Sequence, residues 1–348
     1  MLKKIYRKFI YFIFFCIYGK IKFQKKNLKF KKFKIKKHKN YYLYKVKNGR
    51  VFTDNVENVA IIKNNQILKN ISFQQIKGKL VDAKFNSVIS NGTPKFIKKF
   101  NGNILILAQG ASGHSNYCHW LIDIVPKIKL CSEIINIKKI NYFYIPLLNN
   151  YQKEILNKIK ISPNKFINSF KYAHIIGKNI IAVTHPYYQK GYFAYEQSKI
   201  NKWVIKYLRK TFLNKKKSKI KKIFIDRSDS ISKHCKIINN KNLIKFLKNR
   251  GFKIIQLSKI SFVQQVTIFK NAKFIIGAHG AGLANLIFSS PKTKIIEIIP
   301  SDHPNKLYQK ISNINKLKYS KLSIPKVNNN PMGDIFVNLD KLNLMLNK

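Results

Sequence analysis

Carboxylates are what this sequence lacks most: 13 Asp and Glu face 69 Lys and Arg in 348 residues, a formal net charge of +56. Arginine is scarce as well, limited to Arg7, Arg50, Arg209, Arg227 and Arg250, so the excess is nearly all lysine. Asn, Ile, Phe and Tyr are abundant and share lysine's A/T-rich codons, which makes genomic drift the simplest source of much of the charge. The field is physical whatever its origin, and it favours anionic partners such as a phospholipid surface, a polyanionic glycan or nucleic acid. No Asp-x-Asp pair exists to cradle a metal-bridged diphosphate. The four cysteines, Cys16, Cys118, Cys131 and Cys235, form no Cys-x-x-Cys and no metal-ligand spacing with the eight histidines. Free thiols in a reducing compartment are therefore expected, with no metal and no cofactor.

Long apolar runs are missing too. Residues 9–18 supply about half of the ~20 apolar residues that cross a bilayer, and no small-residue cleavage site follows them. Flanked by Lys3, Lys4, Arg7 and Lys8 and by the lysines of 20–37, this stretch reads as a basic, aromatic segment lying on a membrane surface. An ordinary helix packed on its own domain is the alternative. The expected location is cytoplasmic, peripheral at an anionic membrane.

What is present is α/β alternation. Short strands are expected over 48–91, a buried strand at 103–108, a loop at 109–115, a helix at 116–131 and a strand at 142–146. A helix over 198–212 precedes the run Lys215-Lys216-Lys217, the expected domain junction. Beyond it, strands at 222–226, 252–257, 273–276 and 294–299 alternate with helices at 240–248, 262–270 and 283–288, which implies a parallel sheet with right-handed crossovers. The expected division is a basic arm (1–45), a first α/β domain (46–214), a second (215–325) and a segment returning to the first (326–348).

Two runs carry chemistry. In Phe274-Ile-Ile-Gly-Ala-His-Gly-Ala-Gly-Leu-Ala-Asn285 a strand ends in glycines that open a helix. Gly280 and Gly282 let a ligand approach the backbone, and N–H groups at the helix start suit a diphosphate. The spacing is neither the dinucleotide fingerprint nor a Walker loop. His279 has little packing use there. Glu297 lies between Ile pairs on the next strand, suited to ribose hydroxyls, and Arg227 in Asp226-Arg-Ser-Asp229 is placed to meet phosphate bidentately. The second run is Asn116-Tyr-Cys-His-Trp-Leu-Ile-Asp123. On a helix His119 and Asp123 share a face, which suits proton abstraction from a hydroxyl. Trp120 beside them could stack on a sugar. Each feature also has a plain structural reading, such as a core Trp120, an Arg227–Asp229 surface pair or a solvated Glu297.

Together these runs resemble glycosyltransferase family 61, which includes capsular-polysaccharide biosynthesis proteins. The shared pattern is His119-Trp120-Leu121-Ile122-Asp123, then Arg227, then Gly277-Ala278-His279-Gly280-Ala281-Gly282-Leu283-Ala284-Asn285, then Glu297 before Pro300, with residues 265–272 also matching. The resemblance covers roughly 100–300. It departs at Lys236 and at Asn239-Asn240, where the family carries Arg and Asn-Glu. It implies a two-domain GT-B architecture whose C-terminal half is the parallel α/β nucleotide-binding domain, and an inverting, metal-independent transfer from a nucleotide-diphosphate sugar, often UDP-linked, to a glycan or lipid-linked glycan.

On that reading Asp123 takes the acceptor proton, with His119 either orienting it or itself the base. Asn116 and Trp120 meet the acceptor, while Arg227, Lys233, His279, Gly280, Ala281, Gly282, Asn285 and Glu297 hold the donor. The rivals are a non-catalytic relative that binds nucleotide or anionic glycan, and a basic nucleic-acid-binding protein. No recognition helix, RNP run or zinc spacing supports a specific nucleic-acid partner.

Overall fold

A computed structural model of the protein describes residues 2–25, 28–37, 40–55, 58–108, 116–146, 149–186, 191–230, 234–327 and 333–347. The expected 109–115 loop and Lys233 lie outside the described residues. The architecture is mixed α/β in two compact units, one formed by 1–156 with 160–199 and the other by 157–159 with 200–348.

The division falls ahead of the Lys202–Phe212 helix rather than at the lysine run. Arg209 Nη1 on that helix donates to the carbonyls of Ile287 at 2.6 Å and Ser289 at 2.8 Å. Phe212 packs edge-on against Phe262 and Phe288. The apolar face of the helix decides its membership, whereas the lysines after it are solvated in any arrangement.

In the first unit, strands run in the order Phe166–Asn168, Tyr142–Ile145, Lys98–Ile106, His174–Val183, Tyr42–Asn55, Asn58–Lys63, Phe73–Ile76, Lys79–Val81 and Gly191–Tyr192. The first four are mutually parallel and the rest antiparallel. The helical segment between Tyr117 and Ser132 is the crossover from Lys98–Ile106 to Tyr142–Ile145. Val46, Val51, Ile61, Ile104, Ile106 and Ile180 fill one core face. The residues expected as a separate basic arm belong to this unit. Phe14, on the Leu2–Tyr18 helix, meets Phe96 edge-on at 5.0 Å, and Tyr18 accepts from the Ile97 N–H at 3.1 Å. The other side of the helix leaves Ile5, Tyr6, Phe9, Phe12, Phe15 and Ile17 exposed. No helix among the described residues is long and apolar enough to cross a membrane.

The second unit holds five parallel strands in the spatial order Lys253–Ile255, Lys222–Ile225, Phe274–Ala278, Lys294–Pro300, Lys318–Ile324. Counted along the chain this is 2-1-3-4-5, so the order reverses between the first strand and the third. Ligands of open α/β sheets bind outside the carboxyl ends of the strands at such a reversal. Residues 326–348 do not return to the first unit. Leu342, on the Leu339–Leu346 helix, is buried in the core of this sheet with Ile335 and Val337, and Asn343 accepts from Arg250.

Candidate active site

In the first unit the polar cluster gathers where two parallel strands end. Asn116 caps the crossover helix, its Oδ1 accepting from the His119 N–H at 3.2 Å. The segment then makes one π-turn over Trp120–Ile124 before continuing as α-helix, and such turns concentrate at functional sites. His119 Nδ1 lies 2.7 Å from Asp123 Oδ2. His185, two residues past the end of the His174–Val183 strand, brings Nε2 to 3.7 Å from Asp123 Oδ1. Lys127 is fully buried one turn on and donates to the Leu107 carbonyl at 3.3 Å.

Burial sets the charges here. Desolvation pushes Lys127 down to about 7, with Asp123 opposing the shift. It pushes His185 down to about 3, against the pull of Asp123. His185 is neutral at physiological pH, and Lys127 sits near its midpoint. His119 Nε2 lies 3.5 Å from Gln197 Nε2.

Asp123 has no exposed side-chain surface whereas His119 keeps 15%. Trp120 is wholly buried; its large apolar surface goes into the core and offers no face to a sugar. Asn116 spends its side-chain oxygen on the helix cap.

In the second unit, Arg227 follows the first strand and His279 the third, the two strands that flank the reversal. Arg227 Nη1 donates to the His279 carbonyl, and its guanidinium lies so close over Gly280 that a Cβ there would collide with Cζ. The expected Arg227–Asp229 surface pair does not form; Asp229 accepts from Ser258. Gly280, Ala281 and Gly282 are partly exposed and open a 3₁₀ helix, Ala281–Phe288, whose first N–H groups have no partner within the helix. His279 is fixed from behind: Nδ1 is 2.5 Å from Glu297 Oε1, and the Tyr319 hydroxyl donates to Glu297 Oε2 at 2.5 Å.

Glu297 is thus buried with both oxygens engaged. It holds His279. Asn285 is buried too, donating to Gln265 Oε1 at 2.9 Å and the Gly282 carbonyl at 3.1 Å, which braces the loop. Sequence reasoning missed Tyr308, whose hydroxyl donates to the Gly280 carbonyl at 2.7 Å, along with His234 and His303. Those two rings lie 6.3 Å and 4.1 Å from His279 by their centroids. Burial first, then His279 and His234, pushes His303 down to about 3. The departure at Asn240 has a local reason. Asn240 donates to Asp226 Oδ1 at 2.9 Å, where an acid would set two like charges together.

The chain is 37% identical over 62 residues to the beta-1,2-xylosyltransferase RCN11 of Oryza sativa subsp. japonica, a match covering 18% of this chain and 12% of that protein. The Glycosyltransferase 61 family profile matches residues 117–296, just over half of the chain, from the His119–Asp123 helix to the Glu297 strand. The chain belongs to glycosyltransferase family 61.

Proposed function

We propose that the chain transfers a hexose or pentose from a UDP-linked donor to a glycan or lipid-linked glycan, inverting and without a metal ion, in surface-polysaccharide or glycoconjugate synthesis. One observation carries the reading: the open Gly280–Gly282 backbone beside Arg227, at the reversal of a parallel sheet in a family 61 chain. Backbone N–H groups and a guanidinium together suit a diphosphate. They stabilise the charge that grows on the leaving group, the task a metal performs elsewhere. Lys233 is a further candidate for that charge.

His119 takes the acceptor proton at Nε2 while Asp123 holds Nδ1, and the acceptor oxygen displaces the diphosphate in a single step. Each unit contains a parallel α/β segment, which supports a GT-B architecture. The exposed aromatic side of the Leu2–Tyr18 helix, among lysines, supports peripheral attachment to an anionic membrane.

Titrating UDP in EDTA tests the donor claim: affinity should be unchanged by chelation, and a loss that magnesium or manganese restores refutes it. A screen of nucleotide-sugars by thermal shift and turnover, begun with UDP-xylose on the strength of the xylosyltransferase match, identifies the donor.

A further inference from the structure

We propose that His234, Cys235 and His303 form a three-ligand site for a thiophilic transition-metal ion of the zinc class. One ligand atom from each lies within 4.8 Å of the others. Around a tetrahedral ion with bonds of about 2.0–2.3 Å, ligand atoms stand roughly 3.3–3.8 Å apart, so closing the site asks for side-chain rotation and no change of fold. The His234–Cys235 edge is already short, with Sγ 2.9 Å from Nδ1. The His234 and His303 rings are edge-on at 5.3 Å.

The protein holds this trio from two directions. Cys235 sits at φ +55°, a left-handed conformation that a side-chain-bearing residue adopts rarely and that recurs at ligand sites. It is buried while its neighbour His234 is partly open. His303 comes from the turn after the Lys294–Pro300 strand. Neither position approaches the other in sequence, and the parallel sheet brings them together.

The donor set selects the ion. Two imidazoles and a thiol suit zinc, cobalt or cuprous copper and are poor ligands for magnesium or calcium. Burial, the largest cause, pushes the Cys235 thiol up to about 12, so it is neutral at pH 7; binding exchanges the thiol proton, released to solvent, for a metal–sulfur bond. Arg227 and Lys326 oppose a cation here, and the Glu297 carboxylate partly offsets them. His303 Nδ1 accepts from the Asn305 N–H at 3.2 Å, a long hydrogen bond that ligation through that nitrogen gives up. Three protein ligands leave a fourth position open.

The test uses cobalt as a spectroscopic stand-in for zinc, on the full chain with Cys16→Ser, which removes the exposed thiol. Cobalt titration should give a near-ultraviolet thiolate-to-cobalt band at one ion per chain, erased by zinc and untouched by magnesium. Cys235→Ser should abolish the band. His303→Ala, and separately His234→Gln, should weaken cobalt binding by roughly tenfold or more; these two carry the test if the Cys235 variant does not fold. Absence of the band, or a band that survives Cys235→Ser, overturns the site. The readout requires no donor, so it stands or falls separately from the transfer reaction.

Discussion

Asp123→Asn is the sharpest perturbation of the first-unit cluster. The substitution keeps volume but removes the charge that faces His119 at 2.7 Å, His185 at 3.7 Å and buried Lys127. An asparagine can turn its amide nitrogen toward Nδ1, which moves the imidazole proton to Nε2, where the acceptor hydroxyl must be deprotonated. The base then carries its proton on the wrong nitrogen. General-base catalysis is worth ~10²–10⁴ in rate, and the wrong tautomer costs about 10⁴ in hydrolases built on the same pair. Transfer should fall within that range while UDP affinity holds, because the groups assigned to the donor belong to the second unit.

Stability changes as well, because the buried hydrogen bond to His119 is remade with an amide. Rates are therefore measured below the melting transition of each variant, with circular dichroism to confirm folding. His119→Ala should lose about as much activity, and the double variant little more than either alone, since residues acting as a unit are not additive. A folded Asp123→Asn enzyme with near-normal transfer, or fully additive losses, refutes the dyad.

Lys127 makes stability depend on pH. Its folded value of about 7 lies below the ordinary 10.5, so between these values the unfolded chain binds more protons and stability rises with pH by ~1.4 kcal/mol per unit. Denaturant unfolding at pH 7 and 9 should show wild type gaining ~2–3 kcal/mol over Lys127→Met across the interval; parallel pH profiles refute a buried neutral lysine. Gly280→Ala should push the Arg227 guanidinium aside and weaken UDP binding by about 10- to 100-fold, the worth of a charged hydrogen bond, as read by calorimetry. Arg227→Lys should do the same by losing the planar fork. Removing residues 2–18 should abolish sedimentation with anionic liposomes, and wild-type binding should weaken with salt; equal sedimentation of the truncated chain rules the helix out as the anchor.

The second unit was legible because parallel strands buried on both faces read as apolar runs: Lys222–Ile225, Phe274–Ala278 and Lys294–Pro300 stand within two residues of expectation. The Lys318–Ile324 strand escaped, since Lys318, Ser320 and Lys321 interrupt it at the sheet edge. Motifs drew attention to both clusters, but the partners of individual groups within them could not be read from sequence. Spacing puts His119 and Asp123 on one face, yet only burial tells which of them meets solvent. Likewise Glu297 and Asn285 looked like ligand groups because polar residues in apolar runs need partners, and the partners turned out to be His279, Tyr319 and Gln265. His185, Lys127 and His303 carried no local signal, because topology alone brings them to their clusters.

The scarcity of acids gives the two sites their common logic. Among the described residues the buried carboxylates are Asp123, Asp226 and Glu297, three of only 13 acids in the chain. Burying a carboxylate costs several kcal/mol unless its lone pairs are met, and a lysine-rich surface offers easier places for an acid. Each of the three is met by hydrogen-bond partners close at hand. Asp226 takes hydrogen bonds from Ser228, Asn240 and Gln256. These carry it below the ordinary value although burial, the largest influence, pushes it up. Asp123 and Glu297 each lie within hydrogen-bond reach of Nδ1 of a histidine, so a buried carboxylate that fixes an imidazole recurs in both units.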